Sequence, residues 1–257
     1  MRMKRFYWSI IALALVMSSI EAMTQYRNGL YVKAVAEEIV QKANATDNRS
    51  RVIALRDYLR KHVSFQGAPM DDRPFLRASA AETLQSGKGY CGEVTRAFIR
   101  MADAVGIRAQ RINLYGAINH VVAEVELKPG ERVIVDSQNP PLLPDLDTLD
   151  HVILRPEYTD YSTLNLRRLR LSWLVSRIKL EIGPLTYWAE SPHALKAGLW
   201  LAVGLVLLSG KLLLVCGRPL VRKLLARRGW VKSPNNIVLK VSETNRGVTP
   251  IVDQIVD

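Results

Sequence analysis

The stretch Ser86–Ile112, "SGKGYCGEVTRAFIRMADAVGIRAQRI", decides how the chain folds. A cysteine stands directly after a glycine-rich turn and opens an amphipathic helix, with Thr95, Phe98, Ala102 and Val105 following Cys91 at near-helical spacing and Gly106 ending the run. The chain uses cysteine only twice in 257 residues. A buried structural thiol has no need of this position. At a helix N-terminus, unpaired amides and the helix dipole favour negative charge, which lowers a thiol pKa and enriches the nucleophilic thiolate.

Downstream of Gly106 lie three extended segments: Arg108–Leu114, His120–Leu127 and Arg132–Asp136. In the last two the odd positions are apolar, so Val121, Ala123, Val125 and Leu127 face Val133 and Val135. A turn of two or four residues at "KPGE" would pair odd positions with even ones and scatter that face. An odd-length loop or a bulge at Gly130 keeps the faces in phase. His120 and Asp136 then project on the same side of neighbouring strands, within cross-strand or diagonal reach. Upstream, Tyr31–Ala43 is predicted to be helical. A second helix places Val52, Leu55, Leu59 and Val63 on one stripe, with Asp47 or Ser50 as its cap. Between that helix and the cysteine, "QGAPMDDRPF" at Gln66–Phe75 carries the signals of a loop.

Cysteine, histidine and aspartate in this order form a known chemical set. A histidine brought to a thiol can hold the pair as thiolate and imidazolium and later protonate a leaving group, while a carboxylate behind it fixes its tautomer. "GKGYCGEVTRAFIRMADAVGIRAQRI", "NHVVAEVEL" and "RVIVDSQNP" together resemble the transglutaminase-like superfamily. Its pattern is a cysteine opening a helix, a "GI-x-A-R"-like turn into a strand, a histidine opening the next strand and an aspartate closing the one after. The preceding "RVIALRDYLRKHVSF" is similar to the family's helix before the nucleophile loop, so the resemblance covers about Arg51 to Asn139. It implies an α+β fold with a papain-like cysteine-enzyme core, in which the cysteine-bearing helix packs on an antiparallel sheet. It also implies Cys91 as nucleophile, His120 as general base and acid, and Asp136 as the residue that orients the histidine.

Two departures stand out. Val121 and Val122 follow the histidine where members often have an aromatic, and Ser137 stands where a proline is common. Gln85, six residues before Cys91, is similar in position to the oxyanion glutamine of papain-like proteases, although a solvated loop glutamine is its ordinary account. Glu93 is read as a first-turn acid complementing the dipole, and His151 as structural.

The ends of the chain are apolar. "FYWSIIALALVMSSI", Phe6–Ile20, follows Arg2, Lys4 and Arg5, which suits a signal-peptide core or a signal anchor; the poor small-residue cleavage site before Met23 favours the anchor. "AGLWLAVGLVLLSGKLLLVCG", Ala197–Gly217, is long enough to cross a hydrocarbon core of about 30 Å. Its one charge, Lys211, lies near the C-terminal end, where the stem can snorkel to the headgroups. Arg218, Arg222, Lys223, Arg227, Arg228 and Lys232 crowd after it, so by the positive-inside rule both termini face the cytoplasm and the middle lies outside. Much of the net charge of +12 is therefore topogenic, which argues against nucleic acid as a partner. A further basic and aromatic region, Arg167–Leu180, suits either the headgroup interface or packing on the outer domain.

The expected organisation is an N-terminal anchor over 1–24, a transglutaminase-like extracytoplasmic domain over 25–160 and a basic amphipathic juxtamembrane region over 161–195. A transmembrane helix over 196–217 and a cytoplasmic basic tail over 218–257 complete it. This predicts a protein of a bacterial inner membrane with its site on the periplasmic side.

Cys91 is the single thiol of the outer segment, so no internal disulfide forms there, and no CxxC pair or histidine cluster with zinc spacing occurs. The sequons at Asn44 and Asn48 arise too easily by chance to mark a source. Two function classes follow. One is an enzyme needing no cofactor that cleaves or transfers at an amide bond of a protein or peptide. The other is a catalytically idle, membrane-tethered binding module of an envelope or polysaccharide assembly complex.

Overall fold

The computed structural model describes residues 2–65, 78–114, 120–144, 146–158, 188, 190–227, 230–232 and 238–240. The loop expected at Gln66–Phe75 and the basic region Arg167–Leu180 lie outside the described residues. By compactness the chain divides into two units, Val16–Leu199 and Met1–Leu15 with Trp200–Asp257.

The larger unit carries the site. Helix α1 spans Arg2–Lys42 without interruption, so the helix expected at Tyr31–Ala43 continues the apolar N-terminal run rather than starting anew. Helix α2, Asn48–His62, begins where Asp47 accepts from the Ser50 amide at 3.0 Å, the expected cap. Its stripe of Val52, Leu55 and Leu59 is fully buried, and Val63 just past its end is nearly so. Helix α3, Ala80–Ser86, starts with a reciprocal box in which Ser79 accepts from the Glu82 amide while Glu82 accepts from Ser79.

Gly87 ends α3 in the left-handed region at φ 63°, and a Cβ there would stand 3.0 Å from the His62 carbonyl oxygen. The close approach has a purpose. Ser64 donates its amide to Gly87 at 2.9 Å and accepts from Gly89 at 3.2 Å, which pins the glycine turn to the end of α2. Helix α4, Cys91–Ala104, follows at once.

Strands β1 (Ala109–Leu114), β2 (His120–Lys128) and β3 (Glu131–Val135) form an antiparallel sheet with β2 in the centre. Ala123 faces Val135 and Val125 faces Val133, so the apolar positions do keep phase. The irregularity that achieves this falls at Leu127, between Glu126 and Lys128, and not at Gly130. Gly130 is already committed to the two-residue turn between paired Lys128 and Glu131, where it adopts φ 84°.

The odd face of the sheet packs with α1, α2 and α4 in a core that includes Val32, Leu55, Phe98 and Met101. The even face is also covered: Ile112, Leu114, Val122 and Ile134 pack against Leu143, Val152 and Tyr158. The short helix α5, Leu149–Ile153, and a 3₁₀ turn at Pro156–Tyr158 supply that cover. Helix α6, Pro192–Arg227, begins in this unit, where Ser18 donates to the Ala197 carbonyl at 2.9 Å and His193 Nδ1 lies 2.6 Å from Glu21.

In the smaller unit the N-terminal part of α1 packs beside the rest of α6. Tyr7 donates its hydroxyl to the Leu207 carbonyl, and Gly204 brings α6 against Ala14 and Leu15. Lys211, expected to snorkel, has its ammonium 3.4 Å from the centroid of the Trp8 ring, since the neighbouring helix offers a cation–π partner at that level. Two short antiparallel strands, β4 (Trp230–Lys232) and β5 (Val238–Lys240), follow. Both α1 and α6 contain a stretch long and apolar enough to cross a membrane.

Candidate active site

Cys91 occupies the first residue of α4. Tyr90 before it gives the helix no side-chain cap of its own. Glu93 acts in its place, accepting from the amide of Tyr90 at 3.1 Å and from that of Ala78 at 3.2 Å. The acid read as a dipole partner is thus also the clasp that holds the approach to the nucleophile. One turn on, Thr95 donates its hydroxyl to the Val121 carbonyl at 2.9 Å, tying α4 to the start of β2 and bringing His120 beside Cys91.

His120 opens β2 and Asp136 follows the last residue of β3, a diagonal neighbour on the even face. Both side chains are 1% exposed, and His120 Nε2 lies 3.0 Å from Asp136 Oδ2. On its other side His120 acts on the Cys91 thiol closely enough that each group shifts the other's titration. With Nε2 committed to the carboxylate, Nδ1 is the ring nitrogen left for sulfur. The structure therefore pairs His120 with Asp136 directly and sets the start of α4, with Cys91, within electrostatic reach of the ring.

Asp136 is held by backbone. Its Oδ2 accepts from the amides of Leu142 at 2.8 Å and Leu143 at 3.2 Å, and its Oδ1 from that of Gln138 at 3.1 Å. From α2, Arg60 grips the Asp136 carbonyl through Nε at 3.1 Å and Nη2 at 2.6 Å. No sequence signal marks Arg60 or Thr95 for these roles, because both act on main-chain atoms of residues far along the chain.

The electrostatics run one way. Burial pushes the Asp136 carboxyl up, but the His120 ring and the amides of Gln138 and Leu142 outweigh it and hold the group below the usual carboxylate range. Burial pulls His120 down, yet the contacts with Asp136 and Cys91 prevail and its pKa is pushed up to about 9. Burial raises the Cys91 thiol, and His120 together with the amides of Val121 and Gly92 brings it below the ordinary thiol value. All three shifts act in the direction that favours a thiolate and imidazolium pair backed by a carboxylate.

Gln85 sits exposed on α3 and, among the described residues, has no hydrogen bond to Cys91, His120 or Asp136. His151 lies on α5 and pairs with Asp147 at 3.0 Å, outside the site. Among the described residues no group of three histidine, cysteine or acidic side chains could hold a metal ion.

Residues 33–137 match the transglutaminase-like superfamily. The matched segment runs from α1 through Asp136 and one residue beyond, so Cys91, His120 and Asp136 all fall inside it. No curated protein matches the chain. Several solved structures are similar to part of it. A candidate protease from Parabacteroides distasonis has 17% identity and a TM-score of 0.38, covering 50% of this chain and 27% of its own. A candidate cysteine protease from Cytophaga hutchinsonii has 18% identity and a TM-score of 0.36, covering 43% and 38%. Calcium-bound LapG of Legionella pneumophila has 17% identity and a TM-score of 0.31, covering 48% and 79%. The chain thus spans well under two thirds of the length of the first two. The transglutaminase-like segment ends well before α6, and the stretch from Gln138 onward lies outside the match.

Proposed function

We propose that the protein is a membrane-anchored cysteine enzyme that acts at an amide bond through an acyl-thioester on Cys91. The observation that carries this is the buried His120 ring, 3.0 Å from Asp136 and electrostatically coupled to the Cys91 thiol at the start of α4.

The chemistry follows from that placement. The Cys91 thiolate adds to the amide carbonyl carbon of a protein or peptide, forming a C–S bond and pushing the carbonyl electron pair onto oxygen. As the tetrahedral species collapses, the C–N bond breaks and His120 delivers its proton to the departing amine. The thioester remains. His120, now neutral, takes a proton from water or from an acceptor amine as that nucleophile attacks, the C–S bond breaks, and Cys91 returns as thiolate beside imidazolium. Asp136 keeps Nε2 protonated throughout and stabilises the cation without receiving its proton. Hydrolysis and transfer differ in which nucleophile reaches the thioester.

Two apolar helices and the basic residues beside them support an anchor in a bacterial inner membrane, with residues 25–160 on the periplasmic side and both termini in the cytoplasm. The test of the site is the rate at which iodoacetamide alkylates Cys91, read by mass spectrometry against pH. The wild-type thiol should titrate well below 8.5, the value of a free cysteine, and His120→Ala should move it up towards that value. An unperturbed thiol that is indifferent to His120→Ala would instead favour the non-catalytic binding module.

A further inference from the structure

Glu190 lies outside the transglutaminase-like segment, two residues before α6, yet it is one of the most buried charges among the described residues, with a side chain 1% exposed. It is shared by two cations from the core. Arg111, on β1, meets it through Nε at 2.5 Å and Nη2 at 2.6 Å, and Arg96, on α4, meets it through Nε at 3.2 Å. Each arginine also grips a carbonyl next to the nucleophile's surroundings. Arg96 Nη1 donates to Ala78 at 2.7 Å, the residue whose amide Glu93 holds. Arg111 Nη2 donates to the carbonyl of Gly92 at 2.8 Å, and Gly92 is the residue after Cys91, whose own amide stabilises the Cys91 sulfur.

We infer that Glu190 is a positioning residue for Cys91. By fixing the fork of Arg111 it holds the Gly92 carbonyl and so, through the Gly92 Cα, orients the adjoining peptide whose amide faces Cys91; it thereby makes the nucleophile's environment depend on how the segment leading into α6 is seated. This rests on the proposed function above. A guanidinium fork oriented by a carboxylate on two of its nitrogens has little freedom left, so its remaining contact with Gly92 is well defined. Lose the carboxylate, and the buried fork must find another partner. The Gly92 peptide then shifts with it.

The sign of the effect separates positioning from charge. Removing a nearby anion would, through its field alone, favour the thiolate and lower the Cys91 pKa. Loss of the Gly92 amide's alignment does the opposite. Glu190→Gln in the full chain should therefore move the pH midpoint of Cys91 alkylation up by about one unit and slow alkylation at pH 7 by about tenfold. Glu190→Asp should recover part of the rate, and Asp57→Asn, which removes the exposed carboxylate beside Arg56 on α2, should change nothing. A midpoint that stays or moves down in natively folded Glu190→Gln overturns the inference. If that variant loses its native circular dichroism, Arg111→Lys decides instead, since lysine keeps the charge but not the fork: an upward shift supports positioning and no shift overturns it. A wild-type thiol titrating near 8.5 would mark failure of the proposed site itself, whereas a depressed wild-type value unmoved by either variant would mark failure of the Glu190 inference alone.

Discussion

Asp136 shows how much one buried carboxylate can decide. It sits against three amides and one imidazole, and all four favour its ionised form. Asp136→Asn should leave part of the thiol reactivity and lower turnover by about 10² to 10⁴, because an amide can present the wrong group to Nε2 and lose the tautomer; steady-state kinetics on a cleavable peptide would measure it. The stability consequence has a definite sign. His120 is raised, so its contribution is complete below pH 6.5 and is lost as the pH climbs towards 9. Asp136 is lowered, so its contribution is complete above about 4 and is lost in acid. The depressed thiol opposes the histidine, since between 6.5 and its own ordinary value the unfolded chain carries on sulfur the proton that the folded chain carries on nitrogen. Urea unfolding of Cys91→Ala should therefore show stability falling from pH 6.5 upward, with a shallower fall in the wild type and almost none in Cys91→Ala combined with Asp136→Asn. Cysteine, histidine and aspartate were legible in the sequence because their order and element starts are local signals. Arg60, Arg111 and Glu190 were not, since each works through a main-chain atom or a charge brought close only by the fold.

Among elements, the turn before α4 is the most constrained. Gly87→Ala must place a Cβ at φ 63° and 3.0 Å from the His62 carbonyl oxygen, at a cost of about 1–2 kcal/mol for the left-handed backbone alone. Urea denaturation in detergent would register that loss. The alkylation rate of Cys91 should fall with it, because the displaced turn is hydrogen-bonded through Ser64 to α2. Replacement of the exposed Gln85 by Ala should leave alkylation unchanged. Helix α2 was readable from its stripe and cap, as was the phase of the β2–β3 hairpin. The site of the bulge was not readable, because Gly130 is equally suited to a bulge and to a tight turn, and only the pairing of Lys128 with Glu131 selects the turn. The covered even face was hidden for another reason: Leu143, Val152 and Tyr158 come from a loop, a short helix and a 3₁₀ turn, each too brief to show a period.

For the molecule as a whole, protease added to intact spheroplasts should remove residues 25–160 and spare a tag at the C-terminus, whereas loss of the tag would break the two-span topology. Lys211→Leu should not release the protein from the membrane in carbonate, since the variant makes α6 more apolar while giving up the contacts with the Trp8 and Tyr7 rings. The entire chain has two cysteines, Cys91 and Cys216. A thiolate maintained by its surroundings is also the form that peroxide attacks, giving a sulfenic acid. Such an adduct is ordinarily rescued by a neighbouring thiol, but Cys216 belongs to α6 and the segment from 25 to 192 offers none besides Cys91 itself. Oxidised enzyme must then wait for a small thiol from outside or proceed to the irreversible sulfinic acid. Brief peroxide treatment should inactivate it in a way that added dithiothreitol reverses early and fails to reverse late, with the mass of the Cys91 peptide rising by two oxygens as the window closes.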